Sequence, residues 1–302
     1  MGARFIILAL LTIILFTGSA CADESLSQAI REGDFGEVQA VLTYNRGLVN
    51  SPDKHKSMPL HVAAREGRLE IAQFLIEQGA DINALDGEKF TAIKIALLKE
   101  HYDIAEVLRR QGAVMDIFVY AMIGETGAIE ALLAKDRTMV NARDHGLLSP
   151  LHWASWGGQV EAAGLLIERG AHIYGKSATG SMALHMAKNG RIAEFLLKKG
   201  ARLEALNNYG ETPLHTLSGL GRVEAVKVLL DQGANVLIQD TLGMTALHIA
   251  VRKNHLDVVR LLIERGADVN CHDKQGNSPL RYANLLKRND VGNILRAHGA
   301  RD

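Results

Sequence analysis

Aromatic residues are scarce in this 302-residue chain, at 5%, whereas Ala, Leu and Gly abound. That balance disfavours an aromatic-rich β-sandwich and favours helices packed through small side chains. Charge of one sign is lacking too: 34 Lys and Arg stand against 34 Asp and Glu. No basic excess therefore advertises nucleic acid or an anionic membrane as partner. With only Cys21 and Cys271 there is no disulfide framework to expect. Cys271 reads as a small residue in a turn, since no base motif adjoins it. No H-E-x-x-H, C-x-x-C or G-x-S-x-G occurs, so no metal, cofactor or catalytic residue is assigned. A Pro/Ser-rich linker is also absent, although the length suggests about two ordinary domains.

The one long apolar run is "FIILALLTIILF", Phe5 to Phe16, preceded by Arg4 and followed by the small residues "TGSACA". This is the pattern of a signal peptide over residues 1–22. At 12 residues the run falls short of the roughly 20 that cross a bilayer as a helix. Two processing routes stay open. Ala20-Cys21-Ala22 is an A-x-A site for cleavage after Ala22, and "GSAC" resembles a bacterial lipobox with lipidation at Cys21, although Gly18 replaces the usual branched aliphatic. Either route exports the chain, to the periplasm or outside, with membrane attachment only through the lipid or an uncleaved leader.

"GAHIYGKS", residues 170–177, carries the letters of a phosphate-binding loop, Gly-x-x-x-x-Gly-Lys-Ser. Such a loop needs a buried strand before it and a helix immediately after. Here "VEAAGLLIERG" precedes it as an amphipathic helix, and the next helical pattern starts near Met182. The same slot reads "GADINALD" at 79–86 and "GADVNCHD" at 266–273, so the segment is one copy of a recurring ending and nucleotide binding is not expected.

The dipeptide Gly-Ala returns at Gly79, Gly112, Gly170, Gly200, Gly233, Gly266 and Gly299, with spacings of 33, 58, 30, 33, 33 and 33. About twenty residues before most of these stands a second tag: "MPLH" (58–61), "SPLH" (149–152), "MALH" (182–185), "TPLH" (212–215) and "TALH" (245–248). "TAIK" (91–94) and "SPLR" (278–281) are degenerate forms. Two helical patterns lie between tag and ending. In the unit after "TALH", Leu247 and Ala250 share one side, and Val258, Val259, Leu261 and Leu262 form the next apolar stripe. Pro suits the first helical turn, and Gly the left-handed cap.

These marks resemble the ankyrin repeat, with its period of 33, T-P-L-H opening and Gly-Ala-Asp-Val-Asn ending. The resemblance implies an all-α repeat solenoid over residues 23–302, with short β-hairpin or turn tips. About nine units follow: 24–52, cap-like; 53–85; 86–116; 117–143, degenerate; 144–176; 177–206, short; 207–239; 240–272; and 273–302, a C-terminal cap. Residues 117–143 echo 24–52, with "MVN" at 139–141 matching "LVN" at 48–50, as though the stack starts twice. Residues 177–206 lack three residues around Asn189, which predicts a shortened or distorted helix pair.

His61, His152, His185, His215 and His248 occupy equivalent places in successive helices about 8 to 10 Å apart, too far to share one metal ion. They read as structural. The resemblance further implies a non-enzymatic module that binds a protein partner through its turn tips and concave helix face, with a membrane-tethered spacer as the alternative. Carried onto this chain, the binding positions are Leu148, Trp153, Trp156, Tyr209, Leu220, Leu242 and Met244, and Trp is favoured among interface anchors.

Overall fold

A computed structural model describes residues 19–301, with side chains from residue 24 onward. Most of the leader read over 1–22, and the Cys21 side chain, lie outside the described residues. Within them the chain is all-helical: helix pairs are joined by turns, and the tips are turns with no strand.

Two compact units divide the chain, one ending at Met115 and the other starting at Asp116. The first holds α1 (Ser19–Glu32) and α2 (Phe35–Tyr44) with a 3-10 exit, Arg46–Asn50, then α3 (Pro59–Glu66), α4 (Leu69–Glu77), α5 (Ala92–Leu98) and α6 (Tyr102–Arg110). The second opens in the same way, with α7 (Ile117–Ile123), α8 (Thr126–Lys135) and a 3-10 exit, Arg137–Asn141. It continues with α9 (Pro150–Gly157), α10 (Val160–Glu168), a 3-10 turn (Ala183–Met186), α11 (Gly190–Lys198), α12 (Pro213–Gly219) and α13 (Val223–Asp231). The last two pairs are α14 (Ala246–Lys253) with α15 (Leu256–Glu264), and α16 (Pro279–Leu285) with α17 (Asn289–Ala297). The first helix of each pair is called inner and the second outer.

The short repeat has a definite form. Its inner helix is reduced to the single 3-10 turn, after which Ala187 is extended and the Asn189 side chain caps α11 through the Ile192 N–H. Three residues are nearly one turn of helix, so their loss removes the second half of the inner helix and leaves the outer one whole. The joints stay tied. Ser155 Oγ donates to the Ala183 carbonyl at 2.6 Å, and Thr216 Oγ1 donates to the His185 carbonyl at 3.1 Å.

Each tip opens on a residue whose side chain folds the turn. In the tip that starts at Asp240, Oδ1 accepts from the N–H groups of Leu242 and Met244, an Asx turn. Tips of the second unit are also laddered: the N–H of Ala178 meets the Gly146 carbonyl, Asn208 meets Thr179, Thr241 meets Tyr209, and Lys274 meets Leu242, all within 3.0 Å. These bonds fix successive tips side by side along the stack.

Candidate functional site

The repeated histidines, His61 in the first unit and His152, His185, His215 and His248 in the second, make the same pair of contacts. In all five, Nδ1 accepts the N–H of the residue three before it, at 3.1 to 3.2 Å. On its other side, Nε2 meets a backbone carbonyl: Ser181, Glu211, Met244 or Asn277 of the following repeat for the last four, and Ala84, at the end of its own repeat, for His61. An N–H can only donate and a carbonyl only accept, so each ring is neutral with its hydrogen on Nε2. Burial drives the pKa of His152 and of His185 down to about 4, and holds His61, His215 and His248 below the ordinary value. Both nitrogens are therefore spent on backbone. No group of three or more His, Cys, Asp or Glu suited to a metal occurs among the described residues.

The false phosphate loop resolves as a repeat ending. Gly170 takes the left-handed cap after α10, at φ 94°. The Lys176 carbonyl accepts from Arg143 Nη1 at 3.1 Å, and the Ser177 N–H is turned onto the Ser181 carbonyl. Beyond Ser181 the chain enters the one-turn 3-10 segment at Ala183, which offers no helix N-terminus at the loop.

The proposed binding positions separate into three groups. Tyr209, Leu242 and Leu220 are exposed, at 56%, 57% and 40%. Tyr209 and Leu242 sit on adjacent tips joined by the Thr241 N–H to Tyr209 carbonyl bond. Leu220 lies at the far end of α12, so the exposed positions span the width of the inner face, about 10 Å for seven helical residues, and do not gather at one point. Leu148 and Trp156 are half-buried. The Arg222 guanidinium lies 5.6 Å from the Trp156 ring centre, reaching across the missing half-helix of the short repeat.

Trp153 and Met244 are corrections. Trp153 is only 2% exposed, and its Nε1 donates to Asp144 Oδ2 at 2.9 Å, so it braces the base of its own tip. Met244 is 5% exposed, with its sulfur 3.1 Å from Arg252 Nη1. Neither offers surface to a partner. The place Met244 holds, just before the helix cap, belongs to Ser57, Phe90, Leu148, Ser181, Glu211 and Asn277 in other repeats, so residue type alone gives no clue to its burial.

Leu147 does not figure among the sequence-derived binding positions, yet it belongs with the exposed group. Half exposed at 50%, it takes φ 55° in the place where the four later tips have Gly180, Gly210, Gly243 and Gly276. A leucine held in the left-handed region is strained by roughly 1 to 2 kcal/mol. Its sequence signal was the absence of glycine at that tip position.

Family comparison agrees with this architecture. Residues 174–240 and 221–301 match ankyrin repeats in three copies. Residues 60–109 match ankyrin repeats in many copies, and residues 147–177 a single ankyrin repeat. Human inversin is 30% identical over 235 residues, covering 72% of this chain and 22% of inversin. A probable E3 ubiquitin-protein ligase, XBOS32 of Oryza sativa subsp. japonica, is 29% identical over 196 residues, covering 52% of this chain and 40% of its own length. The human transient receptor potential cation channel subfamily A member 1 is 28% identical over 201 residues, covering 60% of this chain and 18% of the channel. The chain thus spans well under half of these curated relatives.

Proposed function

Since the chain belongs to the ankyrin repeat family, we propose that its second unit is a non-enzymatic protein-binding module working through the inner helices and turn tips. The observation that carries this reading is the row of exposed apolar side chains on positions the fold does not need them for: Leu147, Tyr209 and Leu242 on the tips, and Leu220 on the inner face. Apolar side chains left exposed along one face of a stack are surface that a protein partner can cover. A stack that only held its ends apart would favour polar tips.

The proposed place of action is outside the cytoplasm, in the cell envelope or beyond. It is supported by the apolar run Phe5–Phe16 and the small residues after it. No helix of the described residues is long and apolar enough to cross a membrane. The mass of the mature chain tests this: a chain beginning at Asp23, or an acylated Cys21, fits export, and full-length protein recovered from cytoplasm contradicts it.

The binding reading is tested with the full chain carrying Tyr209→Ala, Leu220→Ala and Leu242→Ala together. Because all three are exposed, the melting curve should stay close to wild type, while proteins cross-linked to the wild-type chain in its native cells should be lost. Retention of the same set would overturn the reading.

A further inference from the structure

Acidic side chains are missing from one face of the second unit. The inner segments 150–159, 183–189, 213–222, 246–255 and 279–288 contain no aspartate or glutamate, and the last four carry basic side chains, among them Lys188, Arg222, Arg252, Lys253, Arg281 and Lys287. Each paired outer helix carries at least one acid, from Glu161 and Glu168 of α10 to Asp290 of α17. The tip carboxylates do not offset the inner charge freely, because they are turned into the fold. Asp144 accepts from Gly146, Leu148 and Trp153, while Asp240 accepts from Leu242 and Met244. Asp273 takes Gln275, Asn277 and the Tyr282 hydroxyl, and Glu211 takes the Asn207 amide. An overall balance of zero thus conceals a positive stripe.

Two of its cations are held on aromatic rings. Arg222 lies over Trp156, and Arg252 lies over Tyr282 at 5.3 Å. A guanidinium stacked in this way gives its flat face to the ring and meets a carboxylate with its N–H edge. Exposed Leu220, Leu285 and Leu286 are interleaved with them. A phosphate backbone has no apolar side chains to set against those leucines, whereas a peptide does.

Resting on the binding reading, we propose that this face takes an extended acidic peptide segment with aliphatic or aromatic side chains between its carboxylates. Successive repeats stand about 10 Å apart, and a chain extended in the polyproline II form rises about 3.1 Å per residue with three residues per turn, which returns every third side chain to the same face. A carboxylate at every third residue therefore meets one basic repeat after another, from Lys188 to Lys287, and the intervening apolar side chains cover Leu220 and its neighbours. Charge complementarity sets the partner and the encounter rate, so binding weakens with salt.

Fluorescence anisotropy of the full chain with a labelled 15-residue peptide, Glu at every third position and Leu and Ser between, tests the proposal. The same peptide with Lys or Gln in place of Glu, and an oligo-dT strand, serve as competitors. The Glu peptide should bind at least tenfold tighter than the others and weaken as salt rises. R252E/K253E should lose at least tenfold in affinity, as should K287E, an exposed site that leaves the fold unaltered; K227E on α13 should change nothing. Equal binding of the Lys peptide, displacement by oligo-dT, absence of Glu-peptide binding, or indifference to both charge reversals overturns it. Failure here is separable from failure of the binding reading: a native partner lost from the Tyr209, Leu220, Leu242 variant but engaged through a neutral or basic segment ends the acidic specificity alone, and no such partner ends both.

Discussion

Three consecutive residues, Ser155, Trp156 and Gly157, show how finely position decides role. Ser155 is buried and bonded to the next repeat, Trp156 is half out under an arginine, and a Cβ on Gly157 would stand 1.9 Å from the Met122 carbonyl oxygen. That contact is with backbone, which cannot swing aside. Gly157→Ala should therefore destabilise the chain by about 1 to 3 kcal/mol, the usual cost of forcing atoms into a packed joint, as measured by urea unfolding. An unchanged midpoint would show the α7 to α9 joint to be looser than this contact implies. The two tryptophans separate in the same assay. Trp153→Ala should cost about 3 to 5 kcal/mol through its cavity, and Trp156→Ala only about 1 kcal/mol, the scale of a half-exposed cation–π contact. The repeat resemblance set both tryptophans among the binding positions. It missed the burial of Trp153, because its Asp144 partner lies nine residues away in a turn whose geometry no periodicity encodes.

At the level of the element, each of the second unit's histidines His152, His185, His215 and His248, at the third position of its inner helix or turn, joins two repeats at once, and it does so only when neutral. Its pKa in the fold lies below that of the unfolded chain, near 6.5, because burial disfavours the charged ring. A lowered pKa means that the unfolded chain takes up protons first as pH falls. For His152 and His185 stability is then complete above about pH 6.5 and is lost on the way down toward 4, by about 1.4 kcal/mol per histidine for each pH unit between the two values. Melting temperature should fall clearly between pH 7.5 and pH 5, before most carboxylates titrate. His152→Gln should flatten part of that slope. A melting temperature constant over this window would contradict the bridging role. The equivalence of these histidines was plain in the tags "PLH" and "ALH", and their structural role followed from the repeat distance. The half-helix at 183–186 was legible as three missing residues; that the loss falls on the inner helix and spares the outer one was not, since deletion length carries no position within a pair.

Across the whole molecule, the fold class was readable because a 33-residue period leaves few alternatives, and the likeness of 117–143 to 24–52 pointed to a second beginning. Each of the two units has its own buried core, from Leu26 to Leu108 in one and from Ile117 to Leu295 in the other. Residues 116–302 produced alone should therefore fold, giving a helical spectrum and one cooperative melt; an unfolded fragment would show that the second unit depends on the first. The binding face was only partly legible. Apolar letters located its tips, but the charge sorting emerges only once inner and outer helices are told apart.

The inner face and tips of the second unit are the proposed meeting place with a protein partner. The most direct measurement places a photo-cross-linking amino acid at Leu242, or at exposed Glu224 on outer helix α13, in the full chain within its native cells. A discrete cross-linked species from Leu242 that is absent from Glu224 is the predicted result; equal products from both positions, or none from Leu242, would contradict it.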